Sequence, residues 1–86
     1  MEGKMLEIKV AGPGCSNCNR LESMVKQILE DMKIEATLIK VSDFNGIADL
    51  GVLMTPGLVI NGNLLSQGKV PSESQLKEWI SSAAGK

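Results

Sequence analysis

The sequence predicts an α/β fold: one domain built on a four-stranded mixed sheet with helices on both faces. Three observations carry this. Residues 5–10 alternate, with Leu6, Ile8 and Val10 on one side and Glu7 and Lys9 on the other, the period of a half-buried strand. In residues 17–32, Leu21, Met24, Val25, Ile28, Leu29 and Met32 recur at three- and four-residue steps, the stripe of an amphipathic helix. Later, "GLVINGNLLS" joins two short apolar runs through Asn61-Gly62, a pair suited to a type I′ hairpin turn.

Each element follows in order. After the first strand, Ala11-Gly12-Pro13-Gly14 breaks regular structure. In the helix after it, Glu22 and Lys26 stand four apart on the wet side and support it as a charge pair. Residues 35–41, "EATLIKV", read as the second strand. Strand, helix, strand implies a parallel pair with a right-handed crossover. Ser42-Asp43 can cap a short helix through residue 50, with Phe44, Ile47 and Leu50 inward; Gly46 weakens it and Gly51 stops it. After the hairpin, "VPSESQLKEWI" makes the last helix, with Ser72 and Gln75 as a capping box and Leu76, Trp79 and Ile80 as its apolar face. The order is β-α-β-α-β-β-α, which layers helices against a sheet. Residues 1–86 are expected to form a single domain, with 1–4 and 83–86 frayed at its ends.

Composition narrows the function. The chain has 86 residues, nine basic and ten acidic, so it shows no basic footprint for nucleic acid. Phe44 and Trp79 are its only aromatics, too few for a base-stacking platform. It has no histidine, which removes the usual acid–base group and the Cys–His pair of thiol proteases. No apolar run approaches the ~20 residues that span a bilayer. The charged start, with Glu2, Lys4, Glu7 and Lys9, lacks the apolar middle of a signal peptide. A cytoplasmic protein is expected, and a purely structural disulfide is rare in that reducing compartment.

Both cysteines fall in "GPGCSNC", where the first strand gives way to the first helix. A helix start presents unpaired N–H groups and the positive end of the macrodipole. A thiol there is favoured as thiolate, the nucleophilic form. Cys15 stands at or just before the first turn, and Cys18 lies nearly one turn inward on the same side. That spacing suits a division of labour: Cys15 attacks a substrate disulfide, and Cys18 resolves the mixed disulfide. Small Ser16 and Asn17 leave the approach open. Two alternatives stand beside this. The thiols can be an inert pair, or they can hold a soft metal as a metallochaperone-like module. Structural zinc usually takes four ligands, so two thiolates need a second chain or a two-coordinate ion such as Cu(I).

The C-x-x-C between first strand and first helix, followed later by "LGVLMTPGLVI", resembles the thioredoxin/glutaredoxin superfamily. In that superfamily a short helix ends in Gly-Val, here Gly51-Val52, and a proline opens the next strand, here Met54-Thr55-Pro56. Length and the "GPGCSNC" loop are most similar to the small redox-active disulfide proteins of archaea and bacteria. The resemblance implies a thioredoxin-like fold and a thiol–disulfide oxidoreductase with Cys15 and Cys18 catalytic. It also implies a cis Thr55–Pro56 bond beside the cysteines, with the Thr55 backbone pairing with an extended substrate. Pro13, Gly14 and Met54 then rim the site. The bland alternative is that Pro56 merely opens an edge strand.

The chain departs from the resemblance at three points. Gly14 stands where thioredoxins have Trp, and Ser16-Asn17 replace their Gly-Pro. The buried acid that thioredoxins carry six residues before the first cysteine falls on Lys9. The charged set with which glutaredoxins hold glutathione has no counterpart. The implied partners are a disulfide-containing protein or small-molecule substrate and a reductase or thiol donor, with no nucleic acid and no membrane. The chain is expected to act as a monomer, with no cofactor and no metal. Two other C-x-x-C classes compete: heavy-metal-associated domains, and glutaredoxins that bridge an iron–sulfur cluster between two chains.

Overall fold

The computed structural model describes residues 6–14 and 16–85. Its elements are β1 (Leu6–Ala11), α1 (Ser16–Met32), β2 (Ala36–Val41), α2 (Phe44–Asp49), β3 (Gly57–Ile60), β4 (Asn63–Gln67) and α3 (Glu73–Ala83). The order is the one the sequence predicts. The strands form one sheet in the order β2-β1-β3-β4. β1 runs parallel to β2 with Leu6 opposite Ala36, and antiparallel to β3 with Ala11 opposite Gly57. β3 is therefore an interior strand, and Pro56 does not open an edge.

Strand alternation sorts the two faces. Leu6, Ile8 and Val10 of β1 join Leu58 and Ile60 of β3 under α1 and α3, whose Leu21, Val25, Ile28, Leu29, Leu76 and Ile80 complete the main core. Full burial of each such side chain stabilises by roughly 1.5–3 kcal/mol. Ala11 points to the opposite face, where it packs with Ile47 of α2 and with Val52. Helices thus cover both faces, two on one and a short one on the other.

The ends of the elements follow local chemistry. At the end of α1, Lys33 takes the left-handed conformation (φ 55°) and the Ile34 N–H returns to Leu29 O at 3.0 Å, which closes the helix. The Glu22–Lys26 pair forms at 3.5 Å. Asp43 alone caps α2, its carboxylate accepting from Gly46 N at 2.8 Å. Asn61 and Gly62 both have positive φ, 51° and 86°, the geometry of the expected type I′ turn.

Three expectations change. Phe44 is not inward but 85% exposed: it is the first residue of α2, beyond the end of β2 at Val41, and Ile47 is the α2 residue that is buried. Only half of the capping box forms. Ser72 Oγ accepts from Gln75 N at 3.2 Å, while the Gln75 side chain turns to Glu78 Oε1. α3 extends to Ala83, and Ala84 donates to Ile80 O at 2.9 Å and packs on the main core, so the chain is held through Ala84. The expected fraying of residues 1–4 and 86 lies outside the described residues.

Candidate active site

Beyond the carboxyl end of β1, Cys18 and Thr55, two of the residues singled out in the sequence, approach each other across Gly12. Gly12 continues β1 and donates to Val41 O at 2.8 Å, which ties the loop to the end of β2. Its missing side chain is decisive. A Cβ there would overlap Cys18 Sγ, lie 3.1 Å from Cys18 Cβ and come within 3.7 Å of Thr55 Cβ. Gly12 is thus the floor on which Cys18 and Thr55 converge. The sequence reading treated it only as a strand breaker. The signal was available: it is the first residue past the strand and precedes the C-x-x-C by three.

Cys18 is fully buried on the main-core side of α1, one turn before Leu21. Its sulfur is disulfide-bonded and not a free thiol. Cys15 lies outside the described residues. Gly14 is exposed, with φ +97° and open space where a Cβ would stand, so backbone conformation rather than crowding calls for glycine there. Its carbonyl accepts from Asn19 Nδ2 at 3.4 Å, and Asn19 Oδ1 accepts from Lys40 Nζ at 3.0 Å. Lys40 also approaches Glu22 at 3.8 Å. The first turn of α1 carries no acidic residue, so no carboxylate there opposes a thiolate at the helix start.

The other wall is the segment before β3. Thr55–Pro56 is cis, as expected. Pro56 is fully buried, whereas Thr55 is exposed and Met54 is 62% exposed. Pro13 is also exposed. The structure thus brings Cys18, Thr55 and Gly12 together, and leaves Pro13, Gly14 and Met54 facing solvent. Lys9, at the position of the thioredoxin acid, is half-buried in β1 opposite Ile39 and Val59. Sequence reasoning also missed Gln67 and Gly68 at the end of β4, whose bonds hold residues 53–56; no residue pattern pointed to them.

A buried cysteine one turn inside a helix, set against an exposed backbone ahead of a buried cis-proline, defines a thioredoxin-like thiol–disulfide oxidoreductase. The comparisons agree. A thioredoxin domain family model matches residues 6–81, and the chain belongs to that family. It is 37% identical over 78 residues to a thioredoxin of Methanocaldococcus jannaschii, covering 91% of this chain and 90% of that one. It is 31% identical over 77 residues to a thioredoxin of Methanothermobacter thermautotrophicus, covering 90% of this chain and all of that one. The solved structure of thioredoxin-2, described as a component of the malaria parasite protein secretion machinery, superposes with a TM-score of 0.68 at 16% identity. It covers 91% of this chain and 82% of that chain, and it shows the fold alone. Element order and family place the chain with thioredoxin domains rather than heavy-metal-associated ones. Among the described residues no helix is long and apolar enough to cross a membrane.

Proposed function

We propose that the chain exchanges disulfides through the Cys15-x-x-Cys18 pair, Cys15 as the attacking thiol and Cys18 as the resolving one. The observation that supports this most is the placement of Cys18: disulfide-bonded, fully buried, and packed on Gly12 beside Thr55. A resolving thiol must be shielded from substrate yet fixed within reach of its partner, and the α1 core supplies both.

The reaction balances as two thiol–disulfide exchanges. The Cys15 thiolate attacks one sulfur of the substrate disulfide; a Cys15–substrate disulfide forms and the other substrate sulfur leaves as thiolate and takes a proton. Cys18 then gives up its proton and attacks Cys15 Sγ. The Cys15–Cys18 disulfide forms and the second substrate thiolate is expelled. Two electrons and two protons pass to the substrate. A dithiol donor of the reductase or small-thiol class reverses the steps on the protein. Thr55 and Pro56 form the edge on which an extended substrate lies, with Pro13, Gly14 and Met54 at its rim. The protein works as a monomer in the reducing cytoplasm and needs no cofactor.

A redox titration tests the reading. The chain is equilibrated in a graded dithiol–disulfide buffer, quenched by alkylation and weighed. A single reversible two-electron transition involving Cys15 and Cys18 is expected, with turnover lost in Cys15→Ser. No reversible transition, or full turnover without Cys15, contradicts it.

A further inference from the structure

Residues 53–56 lie between α2 and β3, and burial does not hold the first three of them. Leu53 is 89% exposed and Met54 62% exposed, and Thr55 is exposed as well. Leu53 gives the segment almost no packing, and Met54 packs only where it crosses Gly68. Its hold comes from the end of β4. Gln67 Oε1 accepts from Leu53 N at 2.7 Å and from Met54 N at 3.3 Å. The Gly68 N–H donates to Met54 O and to Pro56 O, both at 3.0 Å. Gly68 also lets Met54 cross it closely, since a Cβ there would come 3.2 Å from Met54 Cβ.

The register explains why a glutamine does this. Gly57 opens β3 opposite Gln67, the last residue of β4. Beyond that pair the Gly68 N–H makes the last backbone bonds, to Pro56 O and Met54 O. The Gln67 side-chain carbonyl acts as a further backbone carbonyl would, reaching past the strand end to the N–H groups of Leu53 and Met54. Among the described residues, none of these bonds uses the Thr55 backbone. The segment is therefore fixed through its neighbours, with Thr55 left facing outward.

We propose that Gln67 is a positioning residue for substrate capture: it fixes the edge on which a polypeptide disulfide pairs, and so favours polypeptide over small disulfides. A small disulfide needs only the sulfur to be reached, whereas an extended chain needs a rigid edge to lie on. This rests on the reading of Cys15 and Cys18 given above.

The test uses two variants. Gln67→Met keeps length and removes the acceptor; Gln67→Glu keeps an oxygen that accepts both N–H groups. Each protein is reduced with dithiothreitol and freed of it. It is then mixed with excess substrate, and its oxidation is followed by acid quench and alkylation. The substrates are a short synthetic peptide with one disulfide flanked by leucines, and bis(2-hydroxyethyl) disulfide. For Gln67→Met the half-saturating peptide concentration should rise about tenfold, the size of one lost hydrogen bond to a fixed edge, with the limiting rate within about twofold. The preference for peptide over small disulfide should fall by about the same factor, and Gln67→Glu should restore it. Half-saturation unchanged in Gln67→Met, an equal loss on both substrates, or failure of Gln67→Glu to restore the preference overturns the proposal alone. A native chain that oxidises with neither substrate overturns the reading of the cysteines, and this proposal with it.

Discussion

The two walls of the active end are built by opposite means. On the α1 side, side-chain packing does the holding: Cys18 is sealed over Gly12 and sits one turn above the Leu21, Val25 and Ile28 stripe. On the side of residues 53–56, hydrogen bonds do it: Gln67 and Gly68 clamp the backbone while Leu53 and Met54 face water. The difference matches what the proposed mechanism asks of each wall. A resolving thiol must be kept from water and from substrate. A docking edge must be exposed, so it cannot be held by burial of its own side chains.

Substitutions on each wall should break or sharpen that contrast. Ile28→Ala removes a fully buried anchor of α1 and should cost about 2–5 kcal/mol of unfolding free energy in a urea titration. Gly12→Ala should cost about 1–3 kcal/mol from overpacking, because the new methyl overlaps Cys18 Sγ. It should also slow resolution of the mixed disulfide, read by quenched alkylation. Gly14→Ala two residues on meets no neighbour but keeps φ at +97°, so its loss should be about 1 kcal/mol and conformational in origin. Leu53→Ser on the hydrogen-bonded wall should leave stability within about 0.5 kcal/mol, as an exposed side chain should. It should nonetheless raise half-saturation for the leucine-flanked peptide. A Leu53→Ser cost comparable to that of Ile28→Ala would erase the contrast.

Legibility in the sequence divides along the same line. The packed wall could be read because periodicity reports burial: the alternation of β1 and the stripe of α1 each name one face. The Asn61-Gly62 turn could be read because few residues adopt positive φ. The Cys15-Ser16-Asn17-Cys18 spacing and the Thr55-Pro56 pair carried the resemblance to thioredoxins, and the Thr55–Pro56 bond is cis as that resemblance implied. The clamp was not legible, because a Gln side chain that replaces a backbone carbonyl leaves no periodic trace and joins residues 13 and 14 positions apart. Phe44 misled for a related reason. Its spacing to Ile47 fits a helix face, yet it precedes the part of α2 that lies on the sheet. Ala11 extended β1 by one residue past the expected end, since it packs on the opposite face from the alternating set. Gly12 could be singled out by its place between the strand and the C-x-x-C, but a sequence does not show what a missing Cβ makes room for.

The central claim is that Cys15 attacks and Cys18 resolves, and trapping tests it most directly. Reduced Cys18→Ser protein is mixed with the peptide disulfide, quenched in acid and mapped by mass spectrometry. A stable adduct carrying the peptide on Cys15, with no such adduct in Cys15→Ser, is the predicted result. Absence of any adduct in Cys18→Ser, or accumulation of one on Cys18 in Cys15→Ser, would contradict the account.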